Sequence, residues 1–235
     1  MITLWKPKKP ELFKVFVYCG GKCGSSTLER TFRNTGVKTI HIHSEINYNL
    51  VHSKYIKLPM FSLMNMSKLE EPIIVIDSYR LPVERKMSSF FQNLKVEKSI
   101  DELIVMFNNQ FNTLESYHSI NEVFDHYNIK RFTSFDFVKR FVIKKENNII
   151  FVKLHFNDIS NWGTILSNIW GRPITIISDN LSTNKHYHKL YTLFKKQYKL
   201  PKEFLDKIKE DVEFKIYNTP QEQEEYIQKW RENSV

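Results

Sequence analysis

The feature that most constrains this chain is residues 14–33, which read KVFVYCGGKCGSSTLERTFR. Residues 15–19 are an apolar run with the length and the β-branched or aromatic content of a buried strand. The chain has only six glycines, and three of them follow within five positions: Gly20, Gly21 and Gly24. Half of the residues with the freest backbone are therefore placed directly after a predicted strand, which indicates a tight, specialised turn.

A helix is predicted immediately after this turn. Leu28 and Phe32 share a face at helical spacing, and Ser26 with Glu29 has the spacing of a capping box, which predicts a helix start at Ser26. A strand, a glycine turn and a helix N-terminus together make a cradle for an anion, because free backbone N–H groups and the helix dipole converge there. Lys22 can add a positive charge to it. The plainer alternative is a tight glycine turn with an ordinary serine cap.

The order of residues in the turn separates two kinds of phosphate loop. The nucleoside-triphosphate loop requires G-x-x-x-x-G-K-[ST], but Lys22 precedes Gly24, so that template fails. The order G-K-C-G-S-S-T resembles the loop of sulfotransferases that use 3′-phosphoadenosine 5′-phosphosulfate, where it holds the 5′-phosphosulfate and its lysine lies close to the transferred group. The resemblance implies donor contacts from Gly21, Lys22, Cys23, Gly24, Ser25, Ser26 and Thr27.

A second segment strengthens this resemblance. A third strand is predicted at residues 73–77, and the chain continues as S-Y-R-L-P-V-E-R-K-M-S-S-F, with Pro82 at a first helical position. This resembles the second signature of the same family, especially its carbohydrate-modifying members. There an arginine at the strand end and a serine eight residues later bind the 3′-phosphate of the donor, and the matching residues are Arg80 and Ser88. The helical pattern places Arg85 and Ser88 away from the apolar stripe, so both are expected to face ligand or water.

The resemblance extends more loosely along most of the chain. Residues 183–201 resemble a stretch of bacterial proteins described as capsular polysaccharide synthesis proteins, which are similar to sulfotransferases. The aromatic residues of this stretch have helical spacing, which favours an amphipathic helix over a nucleic-acid-binding patch. One departure is clear: such enzymes often carry Leu-Arg-x-Glu-Asp near the fourth strand, where this chain has LHFND at residues 154–158.

Candidate catalytic residues follow from the resemblance and from the position of the loop. Lys22 is the candidate for stabilising charge on the leaving oxygen. A second strand is predicted at residues 37–43, and His43 at its end is the first candidate for the base, because a neutral imidazole accepts a proton near pH 7. Glu45 is the rival, and His41 ranks third, since it is more typical of a satisfied strand histidine.

Composition limits the partners without choosing among them. The 235 residues are 41% hydrophobic, enough for one α/β domain with a substantial core. The net charge of +9 favours a nucleotide, nucleic acid, an acidic glycan or a membrane surface. Two cysteines, Cys19 and Cys23, exclude a disulfide framework and are too few for a zinc site. Cys23 is either a reactive thiol or merely a small side chain.

Targeting and metal-binding signals are not evident. No segment reads as a signal peptide or a transmembrane helix, so the expected location is the cytoplasm. His41 and His43 alternate on a strand without an evident third ligand, so no metal is expected. Residues 1–12 are expected to be a basic lead-in to a single domain at residues 13–235.

The remaining elements complete the predicted fold. Residues 44–70 are predicted to be irregular and to form a wall of the acceptor site. Ser99 and Glu102 predict a capping box, residues 135–143 and 149–156 predict a β-hairpin insertion, and Asp158 is expected to cap a helix that ends at Gly171. A further short strand is predicted at residues 174–177.

These patterns predict a three-layer α/β fold, with a short parallel sheet of four or five strands flanked by helices and a sulfotransferase-like phosphate loop. The predicted function is transfer of a sulfuryl group from 3′-phosphoadenosine 5′-phosphosulfate to a hydroxyl, most readily on a saccharide, without a metal. One alternative is a phosphate-loop kinase, for which Asp77 is the only candidate magnesium ligand at a strand end. The other is a non-catalytic basic protein that binds a nucleotide or another polyanion.

Overall fold

The computed structural model describes residues 14–43, 73–94, 98–111, 119–177 and 187–232. The strands in these ranges are β1 (Val15–Tyr18), β2 (Thr39–Ile42), β3 (Ile73–Tyr79), β4 (Phe141–Glu146) and β5 (Ile149–His155). The helices are α1 (Ser25–Asn34), α2 (Pro82–Asn93), α3 (Ile100–Phe111), α4 (Ile120–His126), α5 (Trp162–Trp170), α6 (His188–Gln197), α7 (Lys202–Glu210), α8 (Val212–Tyr217) and α9 (Pro220–Glu232). A 3₁₀-helix at Phe156–Asn161 joins β5 to α5.

The strands form one five-stranded sheet in the order β2-β1-β3-β5-β4. β2, β1, β3 and β5 run parallel, and β4 pairs antiparallel with β5 at the edge. The prediction of an α/β fold with a sheet flanked by helices is therefore confirmed. In such a sheet the carboxyl ends of the parallel strands share one edge, which is where open α/β folds bind ligands.

Alternation along the strands gives the sheet two apolar faces. Val15, Val17 and Cys19 point to one face and pack with α1 and α5, while Phe16 and Tyr18 point to the other and pack with α4. Because both faces are covered, every residue of β1 is buried. The face covered by α1 and α5 is called the loop face below, and the face covered by α4 is called the opposite face.

A separate core lies among the remaining helices. Aromatic and aliphatic side chains of α2, α3, α6, α7 and α9 pack together there, among them Phe91, Phe107, Phe194, Phe204 and Trp230. The apolar stripe predicted after Pro82 is buried, with α2 beginning at that proline. Phe194 of α6 is also buried in this core, so the prediction of an amphipathic helix there is confirmed.

The hairpin at residues 135–156 is real, but it is not an insertion. β5 lies inside the sheet and pairs with β3 over seven residues, because its run of apolar side chains is buried between neighbours on both sides. β4 begins at Phe141, six residues later than predicted. Residues 174–177 form no strand within the described part of the chain, so that prediction is wrong.

The two capping-box predictions have different outcomes. At Ser99 the box forms, since its N–H donates to Glu102 Oε2 at 2.9 Å and Glu102 N–H donates to Ser99 Oγ at 3.3 Å. At Ser26 it does not, because α1 begins one residue earlier with Gly24 as its N-cap and no capping side chain. Glu29 instead turns toward Arg33 and a histidine of β2.

Helix α5 shows a similar division. It ends at Gly171, as predicted, with that residue in the left-handed conformation. The predicted cap by Asp158 is wrong, because Asp158 pairs with Arg140 instead. The lead-in at residues 1–12 and the segment at residues 44–70 lie outside the described residues, and the domain boundary at residue 13 stays a prediction.

Candidate functional site

The glycine loop, residues 20–24, connects β1 to α1 at the carboxyl edge of the sheet. Lys22 has φ 68° and Gly24 has φ 82°, so two residues of the loop adopt the left-handed conformation. At Gly24 a β-carbon would lie 2.7 Å from Cη2 of Trp162, which is closer than real contacts allow. Glycine is therefore required at position 24 for two reasons: the left-handed backbone conformation and the close approach of α5.

The N-terminus of α1 faces this loop without a side-chain cap. Gly24 is the N-cap, and the first turn contains no acidic residue. The first N–H groups of a helix have no acceptor within the helix, and the helix dipole adds partial positive charge there. Ser25, Ser26 and Thr27 of the predicted site form this first turn, in which Ser25 and Thr27 are buried and Ser26 is half-buried. The arrangement is suited to an anion.

Arg80 reaches the loop from the neighbouring strand. Its Nη1 donates to the carbonyl oxygen of Lys22 at 2.7 Å, and its guanidinium carbon lies 4.3 Å from the ring centre of Phe156. Burial lowers the pKa of Arg80 from its ordinary value. The two sequence motifs, separated by 58 residues, therefore meet in space at this hydrogen bond.

Ser78 holds the next carbonyl of the loop. Its Oγ donates to the carbonyl oxygen of Cys23, and its own backbone N–H donates to Asp77 Oδ1 at 2.7 Å. Ser78 and Arg80 thus brace two consecutive loop carbonyls, those of Cys23 and Lys22, from the end of β3. Sequence reasoning missed Ser78, although its position two residues before Arg80 on a strand places both on the same face.

Two residues of α2, Arg85 and Ser88, were expected to face ligand or water. Arg85 is only 5% exposed, which corrects the expectation that it faces ligand or water. Together with Arg80 it lines a cleft beside the start of α2. Ser88 is half-buried on α2, and among the described residues no hydrogen bond joins it to Arg80. The structure therefore brings Arg80 to the loop but leaves Ser88 outside this contact.

The histidines of β2 lie on the loop face beside the end of β1. His43 Nδ1 is 2.7 Å from the carbonyl oxygen of Cys19, so Nδ1 carries the hydrogen and, in the neutral ring, Nε2 carries the lone pair. His41 Nδ1 lies 2.8 Å from Glu29 Oε2, whereas its Nε2 is buried without a hydrogen-bond partner among the described residues, so the expectation of a satisfied strand histidine holds for one ring nitrogen only. The two rings meet edge to face at 4.8 Å. Glu45 lies outside the described residues.

On the opposite face, the end of β3 carries a buried ion pair. Asp77 and Lys153 are register partners on β3 and β5, and Lys153 Nζ lies 2.7 Å from Asp77 Oδ2. Glu213 adds a second carboxylate at 3.6 Å from the same ammonium. Asp77 is fully buried and also accepts from the backbone N–H of Ile120 at 3.1 Å, so its carboxylate is not placed to hold magnesium at the loop. This counts against the kinase alternative.

The departure from Leu-Arg-x-Glu-Asp also has a structural account. His155 is buried at the end of β5, where Nδ1 accepts from the backbone N–H of Asn157 at 3.2 Å and Nε2 donates to Asn218 Oδ1 at 3.3 Å. Burial, followed by the charge of Arg140, lowers the pKa of His155. Phe156, the next residue, supports the guanidinium of Arg80. Of the two positions that differ from the family pattern, His155 is therefore buried in the core and Asn157 is exposed, while Phe156 at the variable position supports Arg80.

A cleft of about 430 Å³ lies beside the site, between the start of α2, α4 and the junction of α7 with α8. Three arginines, Arg80, Arg85 and Arg131, line it, but the lining also contains five carboxylates: Glu122, Asp125, Glu210, Asp211 and Glu213. A dianionic phosphate does not fit a cleft with this excess of negative charge. The uncapped N-terminus of α1 at the glycine loop therefore suits an anion better than this cleft does.

Searches for a metal site and a membrane span in the described residues, and for similar proteins, give negative results. In the described ranges no group of three or more histidine, cysteine or carboxylate side chains is arranged to hold a metal ion. No helix within those ranges is both long and apolar enough to cross a membrane. Comparison of the chain with family models, with curated proteins and with solved structures finds no match.

Proposed function

We propose that this protein is a sulfotransferase that takes a sulfuryl group from 3′-phosphoadenosine 5′-phosphosulfate and transfers it to a hydroxyl group. One observation carries the proposal: Arg80 of the second motif donates to the Lys22 carbonyl of the first. The two motifs are far apart in the sequence, and a shared donor site requires them to be adjacent. Their contact at the carboxyl edge of a parallel sheet is what such a site needs.

The donor would be held at the glycine loop. The uncapped N-terminus of α1, with the hydroxyl groups of Ser25, Ser26 and Thr27 around it, is suited to the 5′-phosphate. Arg80 is the ligand for the 3′-phosphate, because a guanidinium that uses one nitrogen on the loop retains other donors for a dianion. Stacking on Phe156 fixes its plane and reduces the entropy lost on binding.

Transfer requires a base and a group that stabilises the leaving oxygen. The oxygen of the acceptor attacks sulfur, the bond from sulfur to the bridging oxygen of the phosphosulfate breaks, and the acceptor proton passes to a base. His43 is suited to this role, since its hydrogen bond to the Cys19 carbonyl leaves Nε2 with the lone pair. The Lys22 ammonium would stabilise the negative charge that develops on the bridging oxygen. No step requires a metal.

The acceptor class follows from the resemblance to carbohydrate-modifying enzymes. A saccharide or polysaccharide hydroxyl is the proposed acceptor, and a net charge of +9 is compatible with a glycan that becomes more anionic with each transfer. The segment proposed as the acceptor wall, residues 44–70, lies outside the described residues. The site of action proposed is the cytoplasm.

The proposal is tested by thermal and denaturant unfolding with adenosine 3′,5′-bisphosphate, the nucleotide product. At a hundredfold excess over its dissociation constant, a ligand adds about 2.7 kcal/mol to the free energy of unfolding. The bisphosphate should stabilise the protein, whereas AMP, which lacks the 3′-phosphate, should stabilise it far less. ATP with magnesium tests the kinase alternative, since a phosphate-loop kinase should be stabilised by that ligand.

Arg80→Lys should remove most of the stabilisation by the bisphosphate, because an ammonium cannot replace the planar fork. Arg172→Lys is the matched control, since Arg172 also lies over an aromatic ring, at 5.5 Å from Trp170, but sits at the amino edge of the sheet. Each variant is compared with its own ligand-free protein. Stabilisation by magnesium ATP alone, or by no nucleotide, would contradict the proposal. If the bisphosphate binds but His43→Gln transfers sulfate as fast as the parent, His43 is not the base.

A further inference from the structure

The two cysteines of the chain lie at the two ends of the glycine loop. Cys19 follows the last residue of β1, and Cys23 precedes the N-cap of α1. Both side chains are fully buried, and neither is part of a disulfide. The mechanism proposed above uses neither thiol, so their placement calls for a separate explanation.

The two thiol groups occupy the same small space beneath the loop. Cys19 Sγ lies 3.9 Å from the carbonyl oxygen of Cys23 and 3.6 Å from Ser78 Oγ. Cys23 Sγ lies 3.6 Å from the carbonyl oxygen of Gly21, so its side chain turns back under the loop. The Cys19 sulfur therefore lies against the backbone of Cys23, and the two thiols are neighbours beneath the loop.

Their surroundings make the two thiols unequal. The hydrogen bond from Cys19 lowers the pKa of Cys23 to about 7, with help from the charges of Arg85 and Lys153 and against burial and the charge of Asp77. Burial raises the pKa of Cys19 well above its ordinary value. A thiol of lowered pKa beside one of raised pKa is the pairing of a reactive cysteine with its resolving partner, and because both are buried, a peroxide reaches them only when the loop opens.

We propose that Cys19 and Cys23 are a redox pair, which a hydroperoxide converts to a disulfide that disables the anion cradle. The Cys23 thiolate attacks one oxygen of hydrogen peroxide, an S–O bond forms, the O–O bond breaks, and hydroxide leaves. Cys19 then attacks the Cys23 sulfur, an S–S bond forms, the S–O bond breaks, and water leaves. Two thiols lose two electrons, one peroxide gains them, and a dithiol reagent reverses the change.

The effect on the loop follows from its two braces. Ser78 holds the carbonyl of Cys23, and Arg80 holds the carbonyl of Lys22. A covalent bond from Cys23 to Cys19 changes the position of the first carbonyl relative to β3, and the N–H groups that begin α1 move with it. Loss of anion binding is the expected consequence, and this part alone rests on the proposed function.

The modification is tested by adding hydrogen peroxide in small molar steps to the native protein. Free thiols are then alkylated in denaturant, and the intact mass is measured. The native protein should lose two hydrogen atoms and both alkylation sites together, without a dimer, and dithiothreitol should restore both. The same titration in urea is the positive control, because it shows that the reagent is active whatever the fold.

Single variants separate the pair from general oxidation. Cys19→Ser and Cys23→Ser cannot form the bond, and Cys23→Ala replaces the latter if it fails to fold. Cys19→Ser should accumulate oxidised Cys23, whereas Cys23→Ser should keep Cys19 reduced. If both thiols of the native protein remain alkylatable after methionine oxidation has begun, the proposal is overturned; a disulfide between two chains overturns it as well.

Measuring bisphosphate binding to the reduced and the oxidised protein distinguishes failure of the redox pair from failure of the proposed sulfotransferase function. If the bisphosphate stabilises the reduced protein, the oxidised protein should lose at least half of that stabilisation and regain it with dithiothreitol. If no nucleotide stabilises the reduced protein but the disulfide forms, the proposed function fails and the redox pair stands. A disulfide that leaves bisphosphate binding unchanged contradicts the claim that it disables the cradle.

Discussion

The two faces of β3 end in opposite kinds of polar chemistry. On the loop face, Ser78 and Arg80 contact backbone carbonyls of a loop with two left-handed residues. On the opposite face, Asp77 meets Lys153 in a buried ion pair, and Tyr79 lies beside His155 with its ring centre 5.4 Å away. Asp77, Ser78, Tyr79 and Arg80 are consecutive in the sequence. Because side chains alternate along a strand, Asp77 and Tyr79 lie on the opposite face, and Ser78 and Arg80 lie on the loop face.

The two sets of residues have different partners: Asp77 pairs with a buried charge, whereas Ser78 and Arg80 hold the backbone of the glycine loop. The opposite face satisfies its own charges, because Asp77 accepts from Lys153 and from two backbone N–H groups. On the loop face, the Ser78 and Arg80 side chains donate to carbonyl groups of the loop that leads into α1, and the N-terminus of α1 has no side-chain cap. Substitutions on the opposite face should therefore change stability, whereas substitutions on the loop face should change anion binding as well.

The largest effect is expected from Lys153→Met, which leaves the buried Asp77 carboxylate without its cation. Breaking a buried pair from one side costs about 3–5 kcal/mol, because the remaining charge is still desolvated. Urea unfolding should show this loss. Lys145→Met is the matched control on the exposed side of the adjacent strand β4, and it should change stability by less than about 0.5 kcal/mol.

The double variant Asp77→Asn with Lys153→Met sharpens this test. It removes both charges, so its cost should be smaller than the sum of the two single substitutions. If Lys153→Met costs no more than Lys145→Met, the ion pair does not stabilise the opposite face and the comparison fails at its first step.

A smaller effect, with a different signature, is expected from Gly24→Ala in the loop. Alanine in the left-handed conformation costs about 1–2 kcal/mol, and the clash with Trp162 adds about 1–3 kcal/mol. Gly36→Ala isolates the first of these costs, since Gly36 has φ 76° but open space around its β-position. Gly24→Ala should also lose stabilisation by the bisphosphate, while Gly36→Ala should keep it. Equal stability of the two variants would show that the close approach of α5 does not matter.

The local sequence predicted most of the loop face. An apolar run followed by three glycines and a helical stripe is information contained within twenty residues, and the strand, the turn and α1 all form. The helix start at Ser26 was wrong because Glu29 has a better partner, His41, which is close only after β2 joins the sheet. Long-range partners of this kind are not visible in local spacing.

The opposite face could not be predicted in the same way. A lysine inside the apolar run of residues 149–155 signals a buried partner, yet the identity of that partner depends on the order of the strands. β5 lies next to β3 and not at the edge, so Lys153 faces Asp77 in register. The hairpin was predicted as an insertion because its two strands are adjacent in sequence, whereas its position in the sheet is set by tertiary packing.

The smallest effect expected is a loss of stability in mild acid through His155. Its pKa is lowered in the folded protein from an ordinary value of 6.5, so below about pH 6.5 the unfolded chain binds a proton that the folded protein does not. Stability should therefore fall as the pH decreases from about 6.5, with a slope of at most about 1.4 kcal/mol per pH unit for one proton. Denaturant unfolding between about pH 7.5 and 5.5 measures this slope.

Two variants test whether His155 causes this dependence of stability on pH and whether the effect belongs to the opposite face. His155→Gln should reduce the slope, whereas His126→Gln, at an exposed position on α4, should leave it unchanged. Protonation of His155 would place a charge between Tyr79 and Asn218 on the opposite face, because its Nδ1 already accepts from the Asn157 N–H. If instead His155→Gln leaves the slope unchanged, the neutral histidine is not what makes this end of the sheet sensitive to acid.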